Sequence, residues 1–135
     1  MALVTWTDNL SVGVELIDNQ HTVLFNTIND LHDAMMKAQG QAKVGELLGR
    51  LQAYTYNHFS AEEALMEDAK YAGLATHRIR HRKLTKQVEW FVARYQQGDL
   101  TLSLELANFL SNWLKDHIQS VDQSYRPWLN KCGVF

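Results

Sequence analysis

The chain has 135 residues, enough for one domain whose core needs no disulfide support. A hydrophobic fraction of 46% and a net charge of −2, with both signs interspersed, describe an ordinary globular protein and show no basic stripe for nucleic acid. No apolar run approaches the roughly 18 residues of a membrane span, no basic-then-apolar leader opens the chain, and the single Cys132 cannot form an internal disulfide, so a cytoplasmic monomer is expected.

The one proline, Pro127, lies near the C-terminus, so long stretches lack the strongest helix breaker. Gly40, Gly73 and Gly98 punctuate the chain instead. Between them run four apolar stripes with steps of three and four, the mark of one helix face. The first is Val14, Ile17, His21, Leu24, Ile28, Leu31 and Met35; the second is Val44, Leu47, Leu51, Tyr54, His58, Glu62 and Leu65. The third is Leu74, His77, His81, Leu84, Val88, Phe91 and Tyr95; the fourth is Leu102, Leu106, Phe109, Trp113 and His117. Asp18 is placed to cap the first helix, and Thr101, followed by Glu105, to begin the fourth. No segment sustains period-two alternation. The fold expected is all-α: an up-down-up-down antiparallel four-helix bundle, with an extended N-terminal arm before residue 14 and a short C-terminal segment after about residue 122.

Each stripe is interrupted by polar groups: His21; His58 and Glu62; His77 and His81; His117. Left without partners, each would cost about 1–3 kcal/mol on burial. In an antiparallel bundle all six fall at one end. The pairs His58/Glu62 and His77/His81 are spaced i,i+4, so both members share a face. His32 serves as a control. It lies eleven residues after His21, about 16 Å along a helix, and reads as a partly exposed surface histidine. Cys132 reads as an incidental tail thiol, and Met35, Met36 and Met66 as core or boundary packing.

Five imidazoles and a carboxylate exceed the four ligands of structural zinc and are the wrong donors for calcium or magnesium. Two six-coordinate transition ions suit the donor set better. If two carboxylates and a solvent oxygen bridge them, eleven of twelve octahedral positions are filled and one stays open.

The segments Ile17-Asp18-Asn19-Gln20-His21, His58-Phe59-Ser60-Ala61-Glu62-Glu63, His77-x-x-x-His81 and Trp113-Leu114-Lys115-Asp116-His117, with Asp122, resemble the hemerythrins in their single-domain bacterial form. Trp6 and Val12-Gly13-Val14 are similar to that family too, so the resemblance covers essentially residues 1–135 as a single domain. One departure is Ala72, where many relatives have proline; it touches only the loop before the third helix. The resemblance implies two iron ions with an oxo or hydroxo bridge. His77, His81 and His117 would hold a saturated iron, His21 and His58 the iron with the open position, and Glu62 and Asp122 would bridge them. Asp122 enters the set mainly through this resemblance. It follows His117 by five residues, about 140° around a regular helix, and can join only if the fourth helix ends or widens between them.

The implied function is reversible binding of dioxygen for transport, storage or delivery. The gas would bind end-on at the open iron, held as hydroperoxide, and Leu114 would present an apolar wall beside it. Competing classes are a di-iron peroxidase or oxidase, an iron-handling protein, and an oxygen or redox sensor. Five neutral imidazoles against two carboxylates favour the ferrous state over high-valent chemistry, so a carrier and not an enzyme is expected. No acid or base is placed by spacing over the open site. Glu63 points about 100° away from its neighbouring ligand, toward solvent or the groups that support the ligands.

Overall fold

The computed structural model describes residues 4–37, 41–98 and 102–135. Four long helices are present: α1 (Glu15–Met36), α2 (Gln41–Asp68), α3 (Leu74–Gln96) and α4 (Leu102–Ser120). A 3-10 turn, Asp8–Leu10, lies in the arm; a second, Asp122–Tyr125, leads into the short α5 (Arg126–Lys131). Among the described residues there is no strand. α1 packs on α2 and α4, and α3 packs on the same two helices. Neighbours in sequence are therefore neighbours in space, and α4 closes the ring against α1, as the short connections require for an antiparallel bundle.

The expected stripes form the core. Ile17, His21, Leu24, Ile28 and Leu31 of α1 are buried, as are Val44, Leu47, Leu51 and His58 of α2 and His77, His81, Leu84 and Val88 of α3. Of the stripe on α4, His117 is buried, and the side chains of Leu102 and Leu106 lie outside the described residues. Leu110, Leu114 and Ile118 are buried, whereas Phe109 and Trp113 lie at the core's edge. Leu110 and Leu114 are i,i+4 neighbours like Phe109 and Trp113, so periodicity alone does not choose between the two lines. Met66 is buried and Met35 half-buried, but Met36 is 65% exposed and packs in no core. Thr101 and Gly40 lie outside the described residues.

Asp18 does not cap α1. Val14 occupies the cap position in extended conformation, and Asp18 falls one turn inside. Its carboxylate reaches back to accept hydrogen bonds from Ser11 Oγ (2.6 Å) and the Val12 N–H (2.8 Å), tying the arm to the helix. Between them Gly13 turns the chain at φ +72°, a left-handed angle natural to glycine. The arm then runs along the bundle, where Asn29 pairs with both backbone groups of Val4 at 2.9 and 2.7 Å. The tail locks onto the arm: Gln123 Nε2 donates to Ser11 O and Asn130 Nδ2 to Gly13 O. Arm and tail together cover one end of the bundle.

α2 ends with the Tyr71 N–H bonded to Met66 O at 2.9 Å and Lys70 in the left-handed region at φ 57°. That pattern satisfies late carbonyls and stops the helix sharply, which returns the chain to α3 at the covered end.

Candidate metal centre

The covered end gathers the polar members of the stripes. His21, His58, Glu62, His77, His81, His117 and Asp122 are all buried, each 6% exposed or less. Asp122 arrives because α4 stops: Val121 N–H bonds to His117 O at 2.8 Å, and the chain then tightens into the 3-10 turn that begins at Asp122. That break replaces the 140° separation of a continuous helix.

The seven side chains divide into two groups. Glu62, His77, His81, His117 and Asp122 bring ligand atoms within 4.8 Å of one another, and so do His21, His58 and Glu62. Glu62 belongs to both. Its Oε1 lies 2.7 Å from His77 Nε2 and 3.0 Å from His81 Nε2, and its Oε2 lies 3.6 Å from His58 Nε2 and 3.8 Å from His21 Nε2. Asp122 also faces both ways. Its Oδ1 is 2.9 Å from His117 Nε2 and 3.0 Å from His77 Nε2, while Oδ2 is 3.3 Å from His21 Nε2. One oxygen of each carboxylate thus faces the His77/His81/His117 side and the other faces the His21/His58 side.

These contacts are mostly not hydrogen bonds. His21 Nε2, His81 Nε2, His117 Nε2 and both Asp122 oxygens are buried with no hydrogen-bond partner. Buried polar atoms are rarely orphaned. Here several point into one small volume, and all are metal-ligand types. Imidazole nitrogens with shared carboxylates suit iron better than a hard-oxygen ion.

The electrostatics of the cluster show the same crowding of buried polar groups. Burial alone would lower His77, but the adjacent carboxylates of Asp122 and Glu62 outweigh it and raise the ring to about 9. Burial lowers His58 to about 4, with Glu62 opposing. Burial and Asp122 both push Glu62 up, yet His77 and His81 hold it below the ordinary carboxylate value. Asp122 is held well below its usual value by His117, His21 and His77, against its own burial.

A ring of partners fixes the donors. Gln20 Oε1 lies 2.7 Å from His58 Nδ1, and Glu63 Oε2 lies 2.8 Å from His81 Nδ1. Each contact sets the ring so that Nε2 faces the cluster. Glu63 in turn accepts from Arg78 Nε at 3.1 Å. The Tyr125 hydroxyl donates to Glu62 Oε2 at 2.9 Å from a fully buried position. Two imidazoles are backed by aromatic rings: Phe59 on His81 at 3.8 Å and Trp113 on His117 at 4.4 Å between centroids. Trp6 of the arm lies over His21 at 6.5 Å.

Tyr125 and Gln20 had not been assigned roles from the sequence. The available signal for Tyr125 was its place three residues after Asp122, on the same side of a helical tail. His32 stays half-buried outside both groups, and Cys132 is exposed on α5's end, as expected. Leu114 is buried one turn from His117. With Leu24, Ile28, Thr55 and Phe59 it lines an apolar cavity of about 20 Å³ below the donor layer. No helix among the described residues is long and apolar enough to cross a membrane.

Comparison with known proteins agrees with this geometry. The model of the hemerythrin HHE cation-binding domain matches residues 12–129. A bacteriohemerythrin of Stenotrophomonas maltophilia is 41% identical over 125 residues, 93% of this chain and 80% of that protein. One from Methylococcus capsulatus is 32% identical over 131 residues, 96% of this chain and 99% of that protein. A crystal structure of wild-type hemerythrin superposes with a TM-score of 0.89 at 32% identity, covering 95% of this chain and 98% of that one. The chain therefore belongs to the hemerythrin family, whose members bind oxygen at non-haem iron.

Proposed function

We propose that this protein binds dioxygen reversibly at two iron ions, as a monomeric carrier or buffer. His77, His81 and His117 would hold one ion, and His21 and His58 the other. Glu62 and Asp122 would bridge them, together with an oxo or hydroxo group. The observation that carries this reading is the buried cluster itself, divided three imidazoles against two with Glu62 shared, in which His21, His81, His117 and Asp122 carry atoms without a hydrogen-bond partner. A bridged pair with that division leaves one coordination position open on the two-imidazole side. Bound there, the irons would supply one electron each and the hydroxo bridge its proton, so that dioxygen would be held end-on as hydroperoxide.

The chain's own residues do the rest. Gln20 and Glu63 orient His58 and His81. Tyr125 holds Glu62 in its bridging attitude. The apolar wall of Leu114, Leu24 and Ile28 keeps water sparse beside the open position, which slows loss of the bound gas as peroxide.

The test is an anaerobic iron titration followed by visible spectra as oxygen is admitted and removed. Two irons per chain, with a peroxide-to-iron absorption that comes and goes with oxygen, are expected. Two irons with an irreversible change would replace the carrier reading by an oxidase or peroxidase one. One metal per chain would end the two-ion assignment.

A further inference from the structure

Outside the centre, the strongest unexplained feature is the outer face of α3. This helix carries six of the chain's thirteen Lys and Arg residues and only one of its fifteen Asp and Glu residues. The even net charge of the whole chain conceals that asymmetry. Arg78 is paired with Glu63 and Glu67. Arg80, Arg82, Lys83 and Lys86 are exposed, and none has a carboxylate partner among the described residues. They stand at i,i+3 and i,i+4 from one another, where like charges cost an isolated helix about 0.2–0.5 kcal/mol per pair. A solvated face gains nothing from that arrangement. On the same stripe Ile79 and Trp90, each 51% exposed, stand at either end of the cations. Arginine and tryptophan are enriched at interfaces, and a patch of unpaired cations steers an acidic partner toward itself.

The position of this stripe decides its use. A groove of about 350 Å³ runs between α2 and α3 and reaches His81 and the Phe59 ring stacked on it; Arg82 and Lys86 line it with two carboxylates, Glu63 engaged by Arg78 and His81 and Glu89 by Tyr56. A second groove, of about 520 Å³ between α3 and α4, is lined by Arg80 and Lys83 and reaches His117 and its stacked Trp113. Asp116 on its far wall is the exposed acid there. The basic face therefore flanks both openings toward two imidazoles of the three-histidine group. A membrane or a nucleic acid would be attracted by the charge but would have no use for those openings.

We propose that the outer face of α3 is the docking surface for an acidic one-electron carrier protein that returns the oxidised centre to its ferrous state. This inference rests on the two-iron reading above. An oxygen carrier that loses its electrons by autoxidation is inert until they are replaced. Two encounters suffice: each reduced partner gives up one electron and is itself oxidised by one, and each ferric ion takes one. No bond of the polypeptide forms or breaks. The stacked Phe59 and Trp113 rings bring conjugated contacts from the grooves to the ligands, so the partner's redox centre need only settle against α3.

The experiment uses iron-loaded, ferric protein under argon and a reduced acidic plant-type ferredoxin as probe. Stopped-flow reduction should be fast at low salt and fall steeply as ionic strength rises, because steering charges are screened. Reversal of all four cations (Arg80→Glu, Arg82→Glu, Lys83→Glu, Lys86→Glu) should slow it at least about tenfold at low salt. Reduction by uncharged reduced lumiflavin should be unchanged, which also checks that the centre is intact. The milder set of four glutamine substitutions should fall between, and Lys43→Glu, at the far end of α2, should match the parent. A second readout is independent of electron transfer: carbodiimide cross-linking should join Lys83 and Lys86 to ferredoxin carboxylates. A rate that ignores both salt and the four substitutions, or cross-links placed elsewhere, would overturn the proposal. So would tighter binding of this face to phosphatidylglycerol vesicles, to RNA or to a second copy of the chain. Failure of reversible oxygenation would leave these readouts intact, since they begin from ferric protein without oxygen, and failure of docking would leave oxygen binding intact.

Discussion

Glu62 is the residue on which the centre turns, because both donor groups share it. Removing it, or His58, strips one side of its donors and leaves buried partners unmatched. Glu62→Ala and His58→Ala are expected to lose iron and most oxygen binding, measured as iron per chain and as the oxygen-dependent absorption. His32→Ala should keep both, because His32 lies outside both groups; loss of iron there would place it in the centre after all. Tyr125→Phe tests the supporting ring. It removes only the hydroxyl that donates to Glu62. Iron affinity should fall roughly 10–100-fold, the usual cost of losing an outer partner of a metal ligand, while the fold persists. A chelator competition titration reads this directly. Leu114→Ala should leave iron in place and speed autoxidation, because it cuts back the apolar wall that separates water from the open position. An unchanged autoxidation rate would remove Leu114 from the oxygen pocket.

At the scale of elements, the arm and the tail matter as much as the four long helices. Gly13 joins them. Its φ of +72° is strained for any other residue, and a Cβ there would stand 2.6 Å from Arg126 Nε and 3.1 Å from Asn130 Oδ1. Gly13→Ala is expected to destabilise the protein by about 1–3 kcal/mol, from backbone strain and displacement of the tail. Thermal unfolding checks the size of the effect. Because the tail carries Asp122 and Tyr125, the same substitution should also weaken iron retention. The end of α4 is the other decisive element. Had the helix continued past Ser120, Asp122 would have faced away from His117. The switch to a 3-10 turn swings it into the cluster.

For the whole molecule, the buried centre links folding to metal. Several donor atoms have no hydrogen-bond partner, so the protein without metal carries their cost. Removing iron with a chelator should lower Tm, and restoring it should recover the loss. The pH dependence has a definite sign. A metal takes the neutral imidazole, but His77 without metal is raised to about 9 and is protonated at pH 7. Loading should therefore release a proton, and apparent affinity should climb with pH up to about 9. Calorimetry in two buffers of different ionisation enthalpy would show the proton. In the metal-free protein the His77 contribution runs the other way. It is fully present below the ordinary histidine value of 6.5 and is lost as pH rises through about 9.

The helix stripes and the convergence of six polar side chains at one end were legible in the sequence because an α-helix converts spacing into direction. His58 and Glu62 at i,i+4 share a face whatever surrounds them, and short connections put the polar ends of four stripes at one level. On α4 Phe109 and Trp113 lie at the core's edge while Leu110 and Leu114 are buried, since the two pairs repeat equally regularly and only packing against the other helices selects between them. Asp18 looked like a cap, but the turn at Gly13 started the helix earlier and left that carboxylate to hold the arm. Asp122 and Tyr125 depend on where α4 stops and how the tail folds back, which no local period encodes. The run of cations from Arg80 to Lys86 stands in the sequence, against the expectation of interspersed charge, but only the packed bundle puts it beside the grooves that reach His81 and His117. Local geometry is written in spacing, while the meeting of distant segments is decided by the burial and pairing available when all of them pack at once.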